Sequence, residues 1–333
     1  MKKQGMKKAL QSASMKVFAL LVAGSIVGVA LLAAQTTSKQ KKSSKKTTSH
    51  VHTTSQQGKK ADTLSHTMPD SIRASAESTK SADSAASTVA PPPLPFQYRK
   101  IQNDAFGVGE RLAFSVNYGF INAGDAVMSV AGFDTIEGRR CYRVEFSVNS
   151  LESFAWIYKV EDRYLTFIDV DAIAPLKFEQ HIREGTYRRD FVADFDQVSH
   201  VAKTTDGQYH IPDYVHDIMS AFYFVRTIDF SGYVPGETTT LYNFYKDTSY
   251  TLLVRFLGRQ ELEVEAGTFK TIVVEPLVRE GGLFKSEGRI VIWLSDDDRK
   301  IPVRVNTKVV IGSIDVELTS YSGLIGPLRA KTD

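Results

Sequence analysis

The densest set of chemically capable side chains in this sequence is His210, Asp213, His216 and Asp217. Imidazole and carboxylate together suit zinc ligation or general-base work. On a helix, Asp213 falls on one face with His216 or Asp217. The spacing is not that of an HExxH pair, however, and Asp213 follows Pro212 where a helix cap is expected. His210, His216 and Asp217 are therefore weak metal candidates, with a structural role as the competing reading. Asp217, beside an apolar run, is placed to bond a neighbouring strand. Asp296, Asp297 and Asp298 could hold a hard cation. They lack the spaced oxygens and the glycine of a calcium loop, and a polar hairpin tip explains them as well.

Four residues are candidates for holding a ligand. Arg226 ends an oily stretch and needs a partner there, with Asp229, Glu275 or Glu287 able to supply a bidentate carboxylate. The sharper alternative is that Arg226, with Tyr223 one turn earlier, receives an anionic headgroup. Phe154 and Trp156, with Tyr158, form an aromatic group that could stack on a sugar or cover a lipid tail, or simply pack the core. No Gly-rich phosphate loop, no GxSxG elbow and no Ser/His/Asp order is present, so no catalytic residue is assigned. Cys141 is the single cysteine. It excludes an intramolecular disulfide and reads as a small buried hydrophobe.

These residues need elements to position them. Ile218, Met219, Ala221, Phe222, Tyr223, Phe224 and Val225 are apolar on nearly every side. A helix of that kind must be covered on most sides. The pattern predicts one buried helix over about 213–229, and a second short helix over 151–157. Flanking segments alternate with period two: Leu112, Phe114 and Val116; Ile290, Ile292 and Leu294; Ile301, Val303, Val305 and Val309; Ile314, Val316 and Leu318. Each reads as a half-buried strand. Turn signals such as Glu137-Gly138, Glu184-Gly185 and Asp206-Gly207 separate the strands at hairpin spacing. The expected fold is mainly β: a strongly curved antiparallel sheet or open barrel of about a dozen strands, wrapped around one helix.

The chain has 333 residues and a net charge of +3. Residues 1–95 carry 14 basic and 4 acidic side chains, and 96–333 carry 27 and 34. A folded part with that acidic excess is a poor nucleic-acid binder. Lys2, Lys3, Lys7, Lys8 and Lys16 precede the apolar run 17–34, the pattern of an export signal. Two outcomes stay open: cleavage after Ala34, or retention of the run as an anchor in the inner membrane. Residues 35–95 are rich in Ser, Thr, Lys and Ala, and read as a disordered basic linker that spans roughly 45 Å root-mean-square. The folded domain is expected over 96–326. His50, His52 and His66 read as scattered linker histidines.

Several motifs occur in a fixed order. They are Gly109-Glu110, Tyr118-Gly119 with Ala123-Gly124, and the helix core Ser220-Ala221-Phe222-Tyr223-Phe224-Val225-Arg226. Ala266-Gly267-Thr268-Phe269-Lys270 with Glu275-Pro276 follows, then Glu287-Gly288-Arg289 and Ile292-Trp293-Leu294-Ser295-Asp296-Asp297. Together they resemble the exported bacterial family known as domain of unknown function 3108, over nearly all of 107–323. The resemblance implies a secreted or envelope-facing β domain of Gram-negative bacteria, located in the periplasm. It brings no substrate, cofactor or catalytic residue. The leading expectation is a non-enzymatic binding or scaffolding protein that holds a lipid or glycan between sheet and helix. A protein–protein module with a fully plugged core, or a hydrolase acting through the 210–217 region, are the alternatives.

Overall fold

The computed structural model describes residues 96–333 apart from 157, 281–282, 286–288 and 309–311. The apolar run, the basic linker, Glu287 and Val309 lie outside the described residues. Eight strands follow one another as a meander: β1 Arg111–Tyr118, β2 Ile121–Ile136, β3 Arg139–Ser150, β4 Glu161–Asp169, β5 Pro175–Glu184, β6 Tyr187–Asp196, β7 Val201–Thr204 and β8 Gly207–His210. A second meander comprises β9 Thr238–Tyr245, β10 Thr248–Val264, β11 Gly267–Glu280, β12 Leu283–Lys285, β13 Ile290–Ser295, β14 Pro302–Lys308 and β15 Ser313–Ser322. The first and last strands pair, Val116 opposite Val316. One antiparallel sheet therefore runs β8 through β1, then β15, β14, β13, β11, β10 and β9, with β12 beside β11. The expected mainly β, curved antiparallel architecture is what forms, and the path is left open.

The alternation read in the sequence decides which face is inside. Leu112, Phe114, Val116, Val144, Phe146, Val148, Ile290, Ile292, Leu294, Val303, Val305, Val316 and Leu318 belong to one continuous buried cluster. Met219, Phe222, Tyr223 and Val225 of the helix α2, Ile218–Val225, are part of the same cluster. Cys141 is buried in a small separate cluster with Leu165, Phe167 and Leu176, and burial pushes its thiol up to about 12. That is the inert hydrophobe expected of it.

Topology dictates where α2 must lie. β8 and β9 are consecutive in the chain but stand at opposite ends of the strand order. The sheet curls so that these ends meet, Tyr209 and Phe195 packing on Phe244 at 6.0 and 5.8 Å, and the connection lays the apolar helix inside, against β4 and β9. It is shorter than the 213–229 expected. Residues before it are spent on the sheet: His216 N–H donates to the Tyr242 carbonyl at 2.8 Å, and Phe244 N–H donates to the His216 carbonyl at 2.7 Å. Tyr214 has a φ of +52°, outside the helical region. The cap is Asp217 rather than Asp213; its carboxylate accepts from Met219 and Ser220 N–H. Asp213 is exposed beside His200. The other helix among the described residues, α1, covers only Glu152–Ala155.

Arg226 closes α2 and is fully buried. Its guanidinium meets Glu110 in a fork, both contacts 2.7 Å, and donates to the carbonyls of Ala105 and Arg299. One side chain thus ties the helix to the segment leading into β1 and to the β13–β14 turn. The partner is Glu110, not Asp229, Glu275 or Glu287. The C-terminal residues continue past the expected boundary at 326. Ala330 is buried, and Thr332 N–H bonds the Thr268 carbonyl.

Glu110→Ala strands a buried guanidinium, so it is expected to lose about 3–5 kcal/mol of unfolding free energy. Chemical denaturation checks this, and replacing both partners by Leu or Met recovers most of the loss. Gly323 has a φ of +66°, and an added Cβ there would sit 1.9 Å from the Gly109 carbonyl oxygen. Gly323→Ala is therefore expected to lower the thermal midpoint by forcing the end of β15 off the N-terminal segment.

Candidate functional site

The polar residues at the start of α2 form a closed structural knot. Thr166 of β4 donates to Asp217 at 2.7 Å. Asn243 of β9, with its amide turned to match its neighbours, donates to the carbonyls of His216 and Asp217. Arg99 can only donate, so its 3.5 Å contact makes His216 Nε2 the acceptor. Nδ1 then carries the proton and faces Ser220 Oγ at 3.3 Å, which in turn donates to the Asp217 carbonyl. Burial, and then the Arg99 charge, push the imidazole down to about 3, so it stays neutral. Burial raises the Asp217 carboxyl against the hydrogen bonds that favour its anion.

The sequence-predicted candidates do not converge. His216 and Asp217 are inside and consumed by these bonds, whereas His210 is exposed at the end of β8. No group of three or more metal-type ligands occurs among the described residues. Arg226 is closed in by Glu110, and Tyr223 is fully buried beside it. Neither can receive a headgroup from solvent. Phe154 is buried while Trp156 is 80% exposed, so the aromatic group is split. Asp297 accepts from Ser295, Arg299, Lys300 and Ala330 and holds the β13–β14 turn together, as the hairpin-tip reading anticipated.

A ligand-sized groove of about 360 Å³ lies instead on the sheet face turned away from α2. Leu257, Val273, Val291 and Trp293 give it apolar walls. Arg259, Gln260, Arg289, Asn306 and Lys308 surround them. The backbone creates the depression. The β10–β11 register slips between Phe256 and Gly258, and Gly258 has a φ of +134° with open space where a side chain would be. Such a bulge bends its strand and re-aims the neighbouring side chains.

The electrostatics of the groove are cationic over a satisfied base. Glu275 is buried beneath Arg289 and Arg255, at 3.0 and 3.7 Å. Arg304 lies 5.6 Å from the centre of the Trp293 ring and is held by Asp315. Arg259 is anchored by Asp296 and the Phe230 carbonyl. The indole N–H of Trp293 is shielded from water and meets no acceptor among the described residues. A buried donor without a partner is costly. The sequence held a faint sign of this place. Alternation puts Arg289, Val291 and Trp293 on the outward face of β13, where two large apolar residues are out of keeping. The bulge at Gly258, which turns that stripe into a groove, has no comparable signal.

A second electrostatic feature lies on the inner face. Glu184 and Asp162 are both buried, and burial, then Asp162, push the Glu184 carboxyl up to about 9. In the unfolded chain the group ionises near 4.5, so the folded state keeps the proton to higher pH. Stability is then full below the unfolded value and falls as pH rises toward 9. Glu184→Gln is expected to flatten that decline, and the variant should be more stable than the parent at pH 8 in denaturant titrations. Equal pH slopes would contradict it.

Among described helices none is long and apolar enough to cross a membrane. No curated relative matches the chain. Three solved structures are similar at low level. One is a β-barrel-like protein of domain of unknown function 1849 from Brucella abortus, at 11% identity, 68% of this chain and 99% of that one, with a TM-score of 0.44. Another is described as an exported protein with a YmcC-like fold from Bacteroides fragilis, at 11% identity, 67% and 100% coverage and a TM-score of 0.32. The third is described as a lipoprotein from Parabacteroides distasonis, at 11%, 68% and 100%, with a TM-score of 0.32. The model of the family described as "Protein of unknown function (DUF3108)" matches residues 113–319, from β1 to β15 and through α2, and the chain belongs to that family.

Proposed function

We propose that this chain is a non-enzymatic binding protein of the cell envelope. Its groove on β10, β11, β13 and β14 takes an amphipathic envelope molecule with an anionic group, such as an acidic glycan or a lipid headgroup. The observation that carries the reading is Trp293. It walls a groove in which Arg289 and Lys308 supply charge and Asn306 supplies an amide. The aromatic wall suits a sugar face or an acyl chain, and the cations suit phosphate or carboxylate. This moves the expected ligand from the concave face, occupied by α2, to the outer one. The basic, apolar N-terminal sequence supports an exported location.

The test uses the full chain carrying Trp156→Phe, so that Trp293 is the only tryptophan. With excitation beyond the tyrosine band, so that tryptophan emission alone is read, it is titrated with glucuronate, with inorganic phosphate and with phosphatidylglycerol vesicles. Saturable quenching by one of these is expected, and which probe succeeds separates glycan from lipid. Lys308→Glu should weaken binding at least tenfold, about 1.4 kcal/mol, and added salt should weaken it further. No saturable response to any probe, or equal affinity in the Lys308→Glu variant, would overturn the assignment.

A further inference from the structure

The registers sort the turns of the sheet into two rims. One rim holds the turns β2–β3, β4–β5, β6–β7, β10–β11 and β13–β14, and both terminal segments lie across it: Ile101 bonds Asp171, and Thr332 bonds Thr268. Its turns carry Glu137, Asp171, Glu265 and Asp296 to Asp298 with Arg299 and Lys300, and the terminal segments add Arg99, Lys100, Arg329 and Lys331. The other rim holds β1–β2, β3–β4, β5–β6, β7–β8 and β9–β10. There Lys159, Arg188 and Lys246 balance Glu152, Asp206 and Asp247.

The second rim also presents aromatic side chains to water on three successive hairpins. Phe120, at the β1–β2 tip, is 97% exposed, with Ile121 beside it at 47%. Trp156, between β3 and β4, is 80% exposed, and Tyr187, at the β5–β6 tip, is 52% exposed. The first two tips are neighbours, since Leu151 N–H donates to the Ala123 carbonyl at 3.0 Å. Large apolar side chains this bare at one end of a domain mark a surface that something covers.

We infer that this aromatic rim rests in the interface of a lipid bilayer. Two observations favour a membrane over a protein. Trp and Tyr beside Lys and Arg are the residues that settle at headgroup depth. The sequence before the domain also contains an 18-residue apolar run, 17–34, separated by residues 35–95 from the described chain. A membrane that took up the run would bring the domain to its surface. The outer groove would then lie on the flank of a domain standing on the lipid surface.

The experiment reconstitutes the full chain carrying Trp293→Phe into phosphatidylcholine vesicles with phosphatidylglycerol, so that Trp156 alone reports. Vesicle association by itself is no readout, because residues 17–34 can provide it. Penetration is measured by bromine-labelled acyl chains. Blue-shifted Trp156 emission and at least twofold quenching by bromine near the headgroup are expected. Phe120→Ser with Ile121→Ser should cut that quenching by half or more while leaving the far-ultraviolet circular dichroism intact. Emission characteristic of water, with no bromine quenching, would overturn the inference. So would a blue shift that bromine does not quench and that grows with protein concentration, since a second copy would then cover the rim.

Discussion

Everything in this fold turns on how one arginine is satisfied. Arg226 is wholly buried, and a lone guanidinium there would carry a desolvation cost that no amount of neighbouring apolar contact could offset. Glu110 neutralises it, and the Ala105 and Arg299 carbonyls take the remaining donors. The three partners belong to parts of the chain 73 to 121 residues away. Satisfying one side chain therefore brings together the lead into the first strand, the end of the helix and a turn of the second meander. The knot of Thr166, His216, Asp217 and Asn243 performs the same service at the opposite end of α2. The helix is a crossbeam pinned at both ends by polar bonds and filled along its length by apolar contact.

That arrangement explains why the chemically suggestive residues are not a site. His216, Asp217 and Ser220 have the types of a catalytic cluster, but their side chains are bonded to Arg99, to Thr166 of β4 and to one another's segment, and they hold the start of α2 in place. Depressed imidazole basicity is here a sign of burial beside Arg99, not of tuned chemistry. The surface free for recognition is what the core does not use: the outward face near the Gly258 bulge.

Much of the architecture was legible from alternation. Leu112, Phe114 and Val116, or Ile314, Val316 and Leu318, announce inward faces because a strand has a period of two and only one side is dry. The apolar run of α2 announced a covered helix. Its limits were not legible, because His216 chose a pairing with β9 that no local propensity reveals. The Glu110 partner was equally hidden, since a bond across more than a hundred residues leaves no periodic trace. The groove was the least readable feature. It arises from a register slip on β10 and from which strands sit side by side, and both are settled only when the sheet assembles.

The pairing of the first strand with the last has a consequence for how the molecule is made. Nearly every other pairing joins neighbours in the chain, so each meander can zip up by local hairpin steps. β1 is different, because its second edge stays vacant until β15 has been delivered. For the whole interval between those two segments, a bare strand waits for a partner at the far end of the polypeptide. A chain emerging from its amino end would carry that unmatched edge until its last strand arrives, so β1 stays open to stray pairing longer than the strands that zip up with their neighbours.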